Sequence, residues 1–402
     1  MNTFKLALIR EEKNPPDKRV LLTPTQCKLI MEKYPNISIF AQPSPVRAYK
    51  DEEYEKNGVI ISEDVSSCDL LAGIKEVPPS KLVANKNYIF FSHTIKLQKH
   101  NKNLLQTVLD NNIKLIDYEV ITDIDGKRLI AFGKYAGLVG AYNAMIGLGK
   151  KLGTFDLKRP EDCFDQKEMF AELSKIKFPS NYKLVMTGDG RVAYGALEII
   201  ELLGIKRVLP QDFVNKTFDE PVYTRLKSRD FYLHRENKEW ETNYFYNNPE
   251  EYKSSFNQYL NVADMYIACH YWNPKSDYIF TEDELEKTDF KISIIADISC
   301  DIGGPIPPTI RASSIAEPFY YYDRVSHQET KEETPTSIMV MAVDNLPCAL
   351  PRDASEEFGN AFIEYVLPNL IGEDKDDIIK RATIAENGSL TEKYNYLKAM
   401  FE

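Results

Sequence analysis

The chain has no basic footprint. Its 50 Lys and Arg against 61 Asp and Glu give a formal net charge of −11, with the acids spread along the chain. Polyphosphate binding needs a cationic surface, so no nucleic-acid partner is expected. Long apolar runs are missing too. The longest, Leu138 to Gly149, is interrupted by Asn143 and falls far short of the roughly 20 residues of a bilayer-spanning helix. The opening MNTFKLALIREEKN runs into charge too early for a signal h-region. A soluble, cytoplasmic protein without a membrane partner is expected. The six cysteines (Cys27, Cys68, Cys163, Cys269, Cys300, Cys348) form no C-x-x-C and no Cys/His ligand spacing. They predict buried thiols in a reducing compartment and no metal. There is no P-loop, no H-E-x-x-H, no Ser-His-Asp order and no repeat of solenoid length.

What is present is a 402-residue chain with 43% hydrophobic residues, enough for two cores. Strand-like and helix-like segments alternate: Phe4 to Ile9, Ile37 to Phe40, Leu70 to Lys75, Tyr88 to His93 and Lys114 to Tyr118 read as strands, with helices between. Arg128 to Phe132 reads as another strand. Ala136 to Leu152 reads as a helix whose small residues suit close packing between two lobes. The segment Phe213 to Ala263 is polar and aromatic; its tyrosines read as an amphipathic surface, and Pro249 to Leu260 as a helix. Met265 to Tyr271, Ile292 to Ser299 and Ser337 to Val343 are apolar strands ending in polar residues. Ala354 to Val366, Asp376 to Glu386 and Leu390 to Phe401 read as closing helices. The predicted fold class is α/β: two Rossmann-like domains with parallel sheets, helices on both faces and a cleft between them. Residues 1–135 plus 346–402 would form the substrate-side domain and 136–345 the dinucleotide-binding domain.

Lys183 to Asp212 carries the strongest local signal. The strand Leu184-Val185-Met186 precedes Gly188-Asp189-Gly190-Arg191-Val192-Ala193, which satisfies G-x-G-x-x-A. Gly188 allows a sharp turn, Gly190 admits a pyrophosphate, and Ala193 lets helix and sheet pack closely. The following helix directs its positive end at the phosphates. Asp212, 19 residues past Ala193, lies where an acid would bond the ribose hydroxyls. An ordinary tight turn is the alternative, and Asp189 counts against phosphate while Arg191 compensates.

Lys75 in GIKEVP and His93 in FFSHTIK stand at strand ends. Either can do acid–base work, a lysine only where its surroundings lower its pKa. A surface ion pair and a structural histidine are the alternatives. Arg19 and Arg128 could clamp carboxylates, or be surface charges. A dinucleotide site with acid–base groups and no metal fits hydride transfer.

At these residues the sequence resembles the saccharopine dehydrogenase (lysine-forming) and lysine-ketoglutarate reductase family, akin to alanine dehydrogenase. The resemblance runs through LIREEKNPPDKRVLLTP, GIKEVP, FFSHTIKLQ, LIDYE, GKRLIAFGKYAG, ADISCDIGGPI, DNLPCALPRDASEEFG and ENGSLTEKYNYL. It is closer to the reductase portion of the bifunctional enzymes, without the partner domain that processes saccharopine onward. It implies reversible interconversion of saccharopine with lysine and 2-oxoglutarate. His93 would exchange the proton of the secondary amine and Lys75 would serve the water and carbinolamine steps, with Glu76 and Glu119 tuning the pair. Arg19, Gln98, Arg128, Phe132, Ser299, Cys300 and Asp301 would bind substrate. Gly188, Gly190, Arg191, Val192, Ala193, Asp212, Tyr271, Ile298, Val343, Asp344, Asn345, Leu346 and Lys127 would contact the cofactor. Cys269 falls on a disulfide position of some relatives, but its partner position is Val192, so that bridge cannot form. Asp212 favours NAD, which is the expected cofactor, while the bifunctional relatives permit NADP. An alanine or opine dehydrogenase, or a non-catalytic NAD(P)-binding sensor, are the competing readings. Oligomeric state is not legible.

Overall fold

The computed structural model describes residues 3–12 and 17–401; residues 13–16, inside the LIREEKNPPDKRVLLTP block, lie outside them. The chain divides into two compact units, Met1–Phe132 with Pro351–Glu402, and Gly133–Leu350.

The first unit is built on an eight-stranded sheet. Strands β1 (Phe4–Leu8), β2 (Ile37–Ala41), β3 (Ile60–Ile61), β4 (Leu70–Ala72), β5 (Asn87–Phe90) and β6 (Lys114–Asp117) run parallel in the order β6-β5-β4-β1-β2-β3. In β1, Leu6, Ala7 and Leu8 are all buried, the unbroken apolar run of a strand covered on both faces. Thr23 caps the Pro24–Lys33 helix through a reciprocal box with Gln26, as its Thr-Pro start predicts. The C-terminal segment differs from its sequence pattern. Only Ile378–Ala382 is α-helical within the expected helix, and Thr383–Glu386 is a strand antiparallel to β6, followed by Ser389–Leu390. Pairing to an otherwise open edge overrides the local preference. Glu392–Met400 forms 3₁₀ turns. Arg128 to Phe132 is not a strand; Arg128 makes one isolated bridge to Thr122.

The second unit contains β7 (Lys183–Thr187), β8 (Lys206–Arg207), β9 (Val222–Leu226), the small antiparallel pair β10 (Tyr232–His234) and β11 (Tyr252–Ser254), β12 (Met265–Ala268), β13 (Ile294–Asp297), β14 (Phe319–Asp323), β15 (Gln328–Thr330) and β16 (Ser337–Met341). Its main sheet runs β15-β14-β16-β13-β12-β7-β9-β8, parallel except for β14 and β15. Within the aromatic segment, Phe245, Tyr252 and Phe256 are buried among Phe231 and Tyr232 while Tyr244 and Tyr246 are exposed. The expected surface is therefore half core, and the expected Pro249–Leu260 helix is broken by β11. Both sheets are parallel-dominated and flanked by helices, the α/β class read from the sequence.

The Gly133–Leu152 and Arg191–Leu202 helices meet backbone to backbone inside this unit. A Cβ on Gly137 would stand 1.8 Å from the Val192 carbonyl oxygen, and one on Gly195 would stand 1.9 Å from that of Lys134. The small residues of the first helix thus serve a contact within the unit. Gly195→Ala must force the helices apart, costing roughly 3 kcal/mol. Thermal unfolding should show a lowered Tm and isothermal titration a weakened nucleotide; an unchanged Tm would refute the contact.

Candidate functional site

The carboxyl ends of β4, β5 and β6, adjacent strands of the first unit, bring together most of the residues predicted for acid–base chemistry. β4 leads into Lys75 and Glu76, β5 into His93, and β6 into Glu119. His93 has φ +53°, an uncommon conformation for a non-glycine residue, and its surroundings hold it there. Its Nδ1 lies 2.5 Å from Glu76 Oε1, its ring stacks on Phe91, and its carbonyl accepts from Asn101 Nδ2 at 3.2 Å. One residue earlier, both the amide and the hydroxyl of Ser92 donate to buried Asp117.

Glu119 Oε1 is shared between Lys96 and Arg128, each at 3.1 Å. Burial opposes its ionisation, but the two cations outweigh burial and hold the carboxyl below its ordinary value. Its Oε2 is buried and, among the described residues, has no partner. Lys96 was not singled out in the sequence, although it sits three residues from His93.

Arg19 is placed differently from expectation. It is 3% exposed, and its Nε and Nη2 donate to Asp17 at 3.0 and 2.6 Å. That fork holds an internal acid, the counter-charge that a buried guanidinium needs. Its plane also covers the Phe132 ring at 4.2 Å, and Phe132 stacks on Phe358. Gln98 is exposed on the loop beyond His93, and Lys127 on the Asp123–Lys127 turn.

In the second unit, β16, β13, β12 and β7 are successive neighbours, and their carboxyl ends carry Val343 to Leu346, Ile298 to Asp301, His270 with Tyr271, and the glycine turn. Ligands of open parallel sheets bind at such ends. Gly188 has φ +110°, and a Cβ there would lie 2.4 Å from the Cys269 carbonyl. Nothing stands within 4 Å of a Cβ at Gly190, which caps the Arg191–Leu202 helix. Open space over the first turn of a helix suits a pyrophosphate. Ala193 is fully buried, Val192 half-buried and Arg191 exposed. Tyr271 is exposed, while Ile298, Val343 and Leu346 are buried.

Asp297 orders the turn after β13, accepting from Cys300 N at 3.1 Å and Thr309 Oγ1 at 2.7 Å. Ser299 Oγ donates to the His270 carbonyl at 2.8 Å. Burial pushes the Cys300 thiol up to about 12 and also raises Asp301. All six cysteines are free, and the described residues hold no cluster of three metal-ligating side chains.

Asp212 is not where a ribose acid belongs. It lies in the Pro210–Asn215 helix, paired with Lys216 at 2.9 Å. The strand beside β7 is β9, and the turn after β9 reads Leu226-Lys227-Ser228-Arg229. Sequence reasoning missed β9, although Val222-Tyr223-Thr224 after Pro221 has strand composition. Within β9, Arg225 donates from Nε to the Gly188 carbonyl at 2.9 Å and lies over the Tyr194 ring at 4.7 Å. Its Nη2 is buried and without a partner among the described residues. Lys227 Nζ reaches Asp189 at 3.6 Å.

His270 has a structural role. Its Nδ1 bonds Thr187 Oγ1 at 2.9 Å, and Thr187 also bonds the Tyr266 hydroxyl. Burial pushes its pKa down from 6.5 to about 4. The unfolded chain therefore binds the extra proton first, so stability is full above pH 6.5 and is lost as pH falls towards 4, by about 3 kcal/mol in all. His270→Leu, which leaves Thr187 its tyrosine partner, should flatten the fall of Tm between those pH values. An unchanged acid slope would overturn this.

Residues 8–139 match the family described as Alanine dehydrogenase/PNT, N-terminal domain, and residues 183–394 the corresponding C-terminal domain. The chain is 31% identical over 450 residues to "Alpha-aminoadipic semialdehyde synthase, mitochondrial" of Mus musculus, covering 99% of this chain and 48% of the relative. It thus spans about half the length of that relative. It is 27% identical over 387 residues to "Saccharopine dehydrogenase [NAD(+), L-lysine-forming]" of Yarrowia lipolytica, covering 90% of each. An L-alanine dehydrogenase structure superimposes with a TM-score of 0.68 at 14% identity over 99% of both chains, a likeness of fold. No described helix is long and apolar enough to cross a membrane.

Proposed function

Because the chain belongs to the alanine dehydrogenase/PNT family, we propose that it is an NADP-preferring oxidoreductase of the lysine-forming saccharopine dehydrogenase type, joining lysine and 2-oxoglutarate through an imine. The observation carrying this reading is the single edge holding Lys75, the His93–Glu76 pair and Glu119 with Lys96 and Arg128. A chemistry that forms and reduces an imine needs two proton-transfer groups and cationic positions for carboxylates. That edge supplies both.

The nicotinamide supplies the hydride when bound. His93 gives the amine nitrogen its proton through Nε2, with Nδ1 held by Glu76 so that the ring keeps one orientation. Lys75 moves protons in the addition and loss of water. Arg128 and Lys96 bind substrate carboxylates, their other charge partner being Glu119. Arg19, held by Asp17, orients the Phe132 ring.

Gly188, Gly190 and the first turn of the Arg191–Leu202 helix would hold the pyrophosphate. The choice of nucleotide rests on the turn after β9, since Asp212 sits on a different element. A strand followed by Lys-Ser-Arg beside the glycine turn, with a buried guanidinium N–H group that has no partner among the described residues, suits a 2′-phosphate better than two neutral hydroxyls.

The deciding assay follows nicotinamide absorbance with 2-oxoglutarate and lysine, repeated with pyruvate and ammonia. Oxidation of the reduced nucleotide is expected only with the first pair. Turnover confined to pyruvate and ammonia would make the protein an alanine dehydrogenase instead.

A further inference from the structure

Glu11 lies three residues beyond β1 and takes no part in the chemistry above. Both its oxygens accept backbone N–H groups of the turn that carries Lys75: Oε1 from Ile74 at 2.6 Å and Oε2 from Lys75 at 2.9 Å. The parallel ladder between β1 and β4 ends just before, with Ile9 N donating to the Ala72 carbonyl at 3.0 Å. Past that bond, β1 offers β4 no further carbonyl, and the side chain of Glu11 takes over. Gly73 leaves it room, since a Cβ there would come within 3.3 Å of Glu11 Oε1 and 3.1 Å of the Ile9 side chain. On the far side of the turn, Phe91 N donates to the Ile74 carbonyl at 2.9 Å. The segment before Lys75 is thus gripped from both neighbouring strands.

We propose that Glu11 is a positioning residue for Lys75: its two oxygens clamp consecutive amides and set the place from which the lysine side chain reaches out. The inference rests on the reading of Lys75 as an acid–base group. Two converging N–H groups require two acceptor atoms. A glutamine would turn its amide N–H₂ towards one of them, and an aspartate is one methylene too short to reach both. The site is not a favourable one for a charge. Burial pushes the Glu11 carboxyl up to about 8, against the pull of the Ile74 amide; Asp17 acts with burial, and the Lys75 amide and Arg19 against it. The hydroxyl of Tyr118 is also in electrostatic contact with it. A carboxyl in such surroundings is held by the amides it serves, and misplacement of a catalytic group by about 1 Å can cost on the order of 100-fold in rate.

The test compares Glu11→Gln and Glu11→Asp in the wild-type and Lys75→Met backgrounds, with turnover read at high enzyme concentration. In the wild-type background both variants should lower kcat by about 10- to 100-fold, with substrate KM, nucleotide Kd and Tm little changed. In the Lys75→Met background Glu11→Gln should cost less than about 2-fold, because the group it positions is gone. Wild-type kcat in either Glu11 variant, or an equal loss in both backgrounds, overturns the inference. Full activity of Lys75→Met itself would instead remove the reading on which it rests, so the two failures are distinguishable.

Discussion

NADPH should bind more tightly than NADH by about 10- to 100-fold, the contribution of one or two charge-assisted hydrogen bonds. The difference should reside at the end of β9. Titrating 2′,5′-ADP and 5′-AMP isolates it from catalysis, because the two differ only in the phosphate. Lys227→Asp combined with Arg229→Ala puts an acid where the ribose hydroxyls would lie and removes one cation. Preference should then invert, mostly through loss of 2′,5′-ADP. Arg225→Lys keeps the charge but not the fork, whose Nε holds the Gly188 carbonyl and whose Nη2 would meet the 2′-phosphate. It should weaken both nucleotides, 2′,5′-ADP the more. Equal affinity for the two fragments in the wild-type protein would refute the assignment.

Lys75→Met and His93→Gln should each depress kcat by about 100- to 1,000-fold, within the range of a general acid or base, while leaving nucleotide affinity largely intact. The separation follows from placement. Lys75 and His93 belong to the first unit, whereas the glycine turn belongs to the second. Loss of nucleotide binding in either variant would show that the pair has been given the wrong task. Glu76→Gln should cost less than His93→Gln, since it loosens the ring held at 2.5 Å without removing it.

How much of this was legible before folding depends on whether local pattern and tertiary pairing agree. β1, β4, β5 and β7 are short apolar runs buried on both faces, and they announced themselves. So did the glycine turn, whose Gly188 does take a positive φ. β9 did not. Its Thr224 and Arg225 look like surface residues, yet both are buried, because Thr224 donates to the Val208 carbonyl and Arg225 serves the turn. Missing one strand moved the expected ribose acid to Asp212, which counts the right number of residues from Ala193 but stands on another element. The same limit applied to Arg19. A lone arginine reads as an anion clamp or a surface charge, and only the fold reveals Asp17 in its fork. Glu11 was invisible for a further reason: nothing in a sequence tells that a side chain will continue a backbone ladder. The strand Thr383–Glu386 was hidden by a helical pattern that the edge of β6 overruled.

That last strand bears on how the chain acquires its shape during synthesis. Domains fold as units, the earlier ones first, but the first unit here is interrupted by the whole of Gly133–Leu350. Its sheet lacks the strand beside β6 until Thr383–Glu386 has emerged, and the loop after His93 lacks the bond from Tyr396 Oη to the Ile95 carbonyl. Gly133–Leu350 is therefore the unit that can finish first. The edge carrying Lys75 and His93 is therefore completed only after the unit that interrupts it has emerged.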